Sequence, residues 1–198
     1  MAATSIVAEE EFTDRPECVC LSITAALISL NESYGDDDVA REEALGHLPW
    51  LIIGTRGDRN HELERAFLFA DWAVRECCGI ECEPITDRKT ALVAADLAQA
   101  VVYAADTARV AAYKDYNVNA YYAHASRAKA ATDAAHAARA VARAFYIVDV
   151  AQATACAAKH ANRRQDLITY IESIIIPVYT TMPIEPGFRN ECLVKIHS

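Results

Sequence analysis

Between positions 91 and 161 of this chain, 29 residues are alanine, and that run limits the possible folds more than any other feature. Alanine loses no side-chain entropy on becoming helical, so a segment this rich in it predicts helix. The alanine-rich region extends from about Thr90 to Asn162, and the polar stretch Asp115–Asn119 should divide it in two. In the first half, Val93, Leu97, Ala100, Val101, Ala104, Ala108 and Ala111 form a small-residue stripe. Asp96, Gln99, Tyr103, Asp106 and Tyr113 fall on a more polar face. Small residues let helix axes approach closely, so the stripe predicts that the two long helices form the antiparallel centre of a bundle.

The rest of the chain follows from breakers and periodicity. Val19, Ile23, Leu27 and Leu30 recur one turn apart and predict a helix over Cys18–Leu30. Asp36–Gly46 reads as a short helix with an acidic first turn. Residues 47–54, HLPWLIIG, look like a buried connection broken by Pro49. Asp58 or Asn60 can cap a helix that places Leu63, Ala66, Phe67, Ala70 and Val74 on one face and ends at Gly79. The segment 118–162 reads as one helix or as two with a bend near the β-branched run at Val148–Val150. Asp166–Ile175 is the last helix, closed by Pro177.

These readings predict an all-α protein. Its expected form is a compact single-domain bundle of about six helices over residues 1–198, with two long Ala-rich central helices. Residues 1–15 are candidates for disorder, and 177–198 should be an extended, proline-containing tail packed on the bundle.

Charge is distributed unevenly. Residues 1–43 hold eleven acids and two bases and so carry the whole net charge of −9. Within the neutral remainder, residues 127–164 hold seven bases and two acids. An acidic array at Asp36, Asp37, Asp38, Glu42 and Glu43 could occupy a basic groove on a protein partner; the plainer reading is a solvated flank. His136, Arg139 and Arg143 recur at i, i+3 and i+7 with Arg127 before them, a row able to grip phosphates or an acidic surface. Neutralisation within the molecule is the plainer reading there, and the overall acidity argues against direct nucleic-acid binding. Tyr113, Tyr116, Tyr121 and Tyr122 crowd the joint between the long helices, where packing is expected and an interaction surface is the alternative.

Familiar chemistry is sparse. The chain has no Walker loop, no GxGxxG after a strand, no GxSxG and no HExxH. Seven cysteines without repeated CxxC pairs read as free thiols. The cluster Cys77, Cys78, Cys82 could hold a soft metal but reads first as small buried hydrophobes. Asp133 and His136 at i, i+3 read as a solvated pair rather than a ligand set, Glu43 and His47 read the same way, and Asp71 and Arg75 form an expected helical ion pair. Arg56-Gly57-Asp58 reads as a turn and cap. An enzyme using Asp71, Asp96 or Asp106 with a histidine is the remaining catalytic reading. No cofactor is expected. The N-terminus lacks a basic region before an apolar one, and no apolar run is expected to reach the roughly 18 residues of a span, so a cytoplasmic, non-membrane protein is expected.

Three segments, Arg15-Pro16-Glu17-Cys18-Val19-Cys20, Leu48-Pro49-Trp50-Leu51-Ile52-Ile53-Gly54-Thr55-Arg56 and Arg65-Ala66-Phe67-Leu68-Phe69-Ala70-Asp71-Trp72-Ala73-Val74-Arg75, precede the alanine run. Together, over residues 15–160, they resemble uncharacterised alanine-rich helical proteins of bacteriophages and prophages. The resemblance implies a small accessory protein that binds a protein of the host cell, for which inhibition of a defence system such as CRISPR is one task. It brings no catalytic residues. A small-molecule or nucleotide-binding helical protein, with Arg127, Arg139 and Arg143 holding a phosphorylated ligand, is the alternative function. Self-association through the alanine faces is compatible with either.

Overall fold

The computed structural model describes residues 16–143 and 146–181, with side chains as far as 175. Among these residues every regular element is helical. Of the tail expected to be extended at 177–198, residues 177–181 are helical instead, and 182–198, like the flank at 1–15, lie outside the described residues.

Helix α1 (Leu21–Ser33) is buried on most of its circumference, with Ile23, Leu27 and Leu30 inward, and Gly35 turns the chain after it at φ +58°. Helix α2 (Asp38–Leu45) starts where the Asp37 carboxylate accepts the Ala40 N–H at 3.0 Å, and buries none of its residues. Residues 48–52 form a one-turn helix, α3 (Leu48–Ile52), rather than an irregular connection. Pro49 sits in its first turn, where the missing N–H has no partner to lose. Asp58 caps α4 (Arg59–Trp72) by accepting from Asn60 and His61. This helix runs on into a π-helical turn, Ala73–Cys77, and stops at Gly79, φ +66°.

A capping box between Asp87 and Thr90 opens α5 (Arg88–Lys114), and the Asn117 side chain caps α6 (Val118–Ala142). The alanine-rich second half is two helices. The first ends at Ala142, upstream of the β-branched run, and α7 (Ile147–His160) carries that run in its first turn. The last helix, α8 (Arg164–Thr181), passes through Pro177 instead of ending before it. Proline removes one backbone hydrogen bond and kinks a helix, and the chain here continues across that loss.

Helix α6 occupies the middle. It pairs with α5 as an antiparallel hairpin, shown by the clasps Arg139 to Gln99 and Arg109 to Tyr121, and pairs likewise with α7 through His160 and Asp133. Alanines 130, 131, 134, 135, 137 and 138 of α6 have no exposure at all. The larger apolar residues lie beyond it: α1 packs on α7, and Phe69, Leu167, Ile168, Ile171 and Ile175 fill the far side of one continuous core.

Helix α5 is the edge of the bundle, and α6 is its one substantial neighbour among the described elements. Its buried row is Ala91, Ala94, Ala95, Ala98, Ala105 and Ala112. The stripe expected to be buried faces the other way: Val93 is 54% and Leu97 40% exposed, and Ala100, Ala104 and Ala111 are exposed as well. Both rows are apolar, and they differ only in helical phase, so periodicity alone could not choose between them. By length and composition α5 is also apolar enough to cross a bilayer, with a mean hydropathy of 1.2 over its best 18-residue window, and is the one such helix among the described residues.

Close packing of α6 is a testable constraint. Replacing Ala134 by Leu should destabilise the protein by about 1–3 kcal/mol, because a methyl-sized site between two helices must take three more carbons. Gln152→Leu on the exposed side of α7 should change stability by less than about 0.5 kcal/mol. Chemical denaturation of the two variants measures the difference.

Candidate partner-binding surface

At the turn between α5 and α6 the chain enters the left-handed region at Tyr116, φ +52°, which costs a non-glycine residue backbone energy and aims its side chain outward. Tyr116 is 92% exposed, Tyr113 73% and Tyr122 65%, with Val118 exposed beside them. They surround a hollow of about 330 Å³ lined also by Ala112, Asn117 and Tyr121. Only Tyr121 is half-buried. Its ring lies under the Arg109 guanidinium, 5.6 Å from centroid to Cζ, and packs edge-on against Tyr122 at 5.5 Å and tilted against Tyr113 at 6.2 Å. Arg109 donates to the Tyr121 hydroxyl at 3.3 Å and is itself paired with Asp106 at 3.1 Å. The tyrosines expected to be packed are thus mostly a solvent-facing tip built on one anchored ring.

The predicted acidic array stays exposed, but not all of it is free. Asp37 caps α2, and Asp38 pairs with Arg41, whose guanidinium also reaches the Gly35 carbonyl. Asp36, Glu42 and Glu43 are exposed around them.

The basic row does not form one surface. His136 and Arg143 are exposed, whereas Arg139 is half-buried and donates twice to the Gln99 side chain, at 3.2 and 3.3 Å. Arg127 precedes His136 by nine residues, two and a half helical turns, and so lies on the opposite side of α6. There it lines a cleft of about 500 Å³ with Cys77, Cys78, Ser126, His160 and Arg163. Arg163 is paired with Glu76 and Asp166, both at 2.8 Å, so one of the cleft's two arginines is already matched.

That cleft also brings together what sequence spacing could not: a thiol pair near an imidazole that is oriented by a carboxylate, His160 Nδ1 to Asp133 at 2.8 Å. Asp133 therefore pairs with His160 and not with His136, and His47 pairs with Glu172 at 2.5 Å and not with Glu43. The thiols are not activated. Burial pushes both up, Cys78 to about 12, and among the described residues neither has a hydrogen bond to the ring. A nucleophilic cysteine needs the opposite shift. Among the same residues no group of three or more His, Cys, Asp and Glu side chains is arranged to hold a metal ion, the Cys77, Cys78, Cys82 cluster included.

The aspartates considered for catalysis have other partners. Asp71 holds Arg75 at 2.9 Å and accepts the Ile85 N–H at 2.8 Å, while Arg75 donates to the Cys82 carbonyl, so the pair fastens the 78–87 loop to α4. Asp106 is held by Arg109, and Asp96 is exposed on the outer side of α5.

One buried polar site escaped the sequence reading. Glu62, 3% exposed, reaches from α4 to the start of α1, where its Oε2 accepts the Leu21 N–H at 2.9 Å and the Cys20 thiol at 3.0 Å. Cys20 offers α1 no side-chain cap, so the carboxylate from another helix supplies it. Thr55 extends the fastening by accepting the Cys20 N–H at 3.1 Å and donating to the Ile52 carbonyl at 2.6 Å. Among the described residues the Glu62 Oε1 is buried without a hydrogen-bond partner. Desolvation and the adjacent carboxylate raise the Cys20 thiol, which marks a structural group rather than a reactive one. Glu62→Ala should cost about 1–3 kcal/mol by leaving the Leu21 N–H buried and unpaired, measurable by urea unfolding.

Compared with models of known protein families, with curated proteins and with solved structures, the chain has no significant match.

Proposed function

We propose that this protein is a non-catalytic binding module that recognises another protein through the tyrosine tip of the α5–α6 hairpin. The observation that carries this reading is the exposure of Tyr113, Tyr116 and Tyr122 around a hollow whose floor is fixed by the Tyr121–Arg109 contact. Tyrosine gives large amphipathic contact area for two side-chain torsions, and tyrosine and arginine dominate energetic centres of protein interfaces. The exposed acids of α2 supply a second, electrostatic element suited to steering a basic partner.

The nucleotide-binding alternative is less well supported, because Arg127, Arg139 and Arg143 do not converge. Resemblance to phage proteins makes a bacterial host protein, such as a component of a defence complex, the first partner class to test.

The test is affinity capture of the tagged full chain from a bacterial lysate with nuclease treatment, run beside the triple variant Y113A/Y116A/Y122A. The expected result is a stoichiometric partner lost from the triple variant, with affinity reduced roughly a hundredfold. A partner retained by the triple variant but lost on charge reversal at Asp36 and Glu42 would move the interface to α2. A shift in melting temperature with nucleotides and no protein partner would favour the ligand-binding reading.

A further inference from the structure

The outward side of α5 carries a coiled-coil seam of its own. Val93, Leu97, Ala100, Ala104, Thr107 and Ala111 follow each other at alternating intervals of four and three residues, the spacing that holds a row of side chains against a neighbouring helix. All six are exposed, and Leu92, Tyr103 and Val110 flank them at 45%, 67% and 49% exposure. The Thr107 hydroxyl is satisfied within the helix by the Tyr103 carbonyl at 2.8 Å. The inward seam, Ala91, Ala98, Ala105 and Ala112 with Ala95 beside them, repeats every seven residues and is already filled by α6. An edge helix of a soluble bundle normally turns a polar side to water. This one has the form of an inner helix short of one neighbour.

We infer that the neighbour is α5 of a second copy of this chain, the two helices running antiparallel about a two-fold axis between residues 100 and 104. In that register Val93 meets Ala111, Leu97 meets Thr107 and Ala100 meets Ala104 of the other copy. The larger residues lie in the first half of the seam and the smaller in the second, so antiparallel self-pairing sets large against small in the outer layers. A parallel pair would crowd one end and leave the other loose.

Three further observations favour a second copy over other occupants. The exposed apolar residues Val93 and Leu97, with Leu92, Tyr103 and Val110 beside them, form one strip along most of the length of α5, a contact of the extended kind that a specific interface requires. The acids that give the chain its charge of −9 lie in residues 1–43; α5 has Asp96 and Asp106 against Arg88, Lys89, Arg109 and Lys114, and Asp106 is already paired with Arg109. Asp96, the acid beside the seam, would stand about 18 Å along the axis from its counterpart, beyond the screening length of physiological salt, and the acid of the other copy that comes nearest to it, Asp106, has its charge matched by Arg109. A bilayer is the other apolar occupant, but a net-acidic chain is repelled by anionic headgroups, and Asp96, exposed beside the seam, would have to enter the hydrocarbon.

Sedimentation equilibrium of the full chain at micromolar concentration tests the inference. The expected result is a dimer whose dissociation constant rises roughly tenfold or more in L97E, with an unchanged far-ultraviolet dichroism spectrum and with H136E as an unaffected control. Positions 97 and 107 lie about 15 Å apart within one helix but oppose each other across the two-fold, so L97E/T107K should regain the dimer through intercopy charge pairs. A monomeric wild type, a dimer indifferent to L97E, a double variant as weak as the single one, or a monomer that floats with phosphatidylcholine vesicles would each overturn it. The prediction is independent of the tyrosine tip, since Y113A/Y116A/Y122A should dimerise normally.

Discussion

The arrangement of the whole bundle depends on how closely other helices can approach α6. With hydrogen or methyl groups alone between the axes, backbones come together and dispersion contacts are dense, but each alanine removes little apolar area from water. The large buried residues are accordingly found elsewhere, at Ile23, Leu30, Phe69 and along α8 from Leu167 to Ile175. The result is lopsided. One side of α6 faces a core with full-sized side chains, and the other faces α5 across a layer of alanine.

A smooth alanine layer specifies register poorly, because neighbouring positions along it have the same shape. Polar clasps supply what the methyl groups cannot. Arg139 to Gln99 and Arg109 to Tyr121 lock α5 to α6 near the middle and near the turn, and Asp133 to His160 locks α6 to α7. This accounts for the fate of the basic row. Arg139 and the Asp133 carboxylate face neighbouring helices because the interface needs them there, which leaves His136 and Arg143 exposed without Arg139 between them and Arg127 on the opposite side of α6. The same demand explains Glu62, whose carboxylate joins two helices that alternation of apolar residues would only place near each other.

Local chemistry was legible in the sequence wherever a residue acts on its own backbone. Asp58 caps its helix as expected, Gly79 terminates one, and the polar stretch before Asn119 separates the two long helices. Failures occurred where the decision belonged to another part of the chain. In α5 two apolar rows repeat with the same spacing, and only the position of α6 determines which is inside. Pro177 is passed because a helix can forgo one hydrogen bond, and Pro49 fits a first turn. The tyrosines near the hairpin turn looked like packing material because nothing in their spacing reveals that the hairpin end projects beyond its neighbours. Partners such as His160 for Asp133, or Glu62 for Leu21, lie 27 and 41 residues apart and have no sequence signature.

The tyrosine tip and the outer seam belong to one hairpin, which ties their geometry together. The seam ends at Ala111 and the tip begins at Tyr113, so pairing of two seams leaves both tips uncovered. With the two-fold axis near residue 102 and 1.5 Å of rise per residue, the tips at Tyr116 would stand about 40 Å apart at opposite ends of the pair. A dimer of this form is a bivalent ligand with a fixed span. It gains avidity only from a target that presents two sites at that separation, and its avidity falls off sharply for any other spacing. Pairing of α5 would therefore convert a modest aromatic contact into a measure of distance, which makes a repetitive or multi-subunit target a better fit to this fold than an isolated globular one.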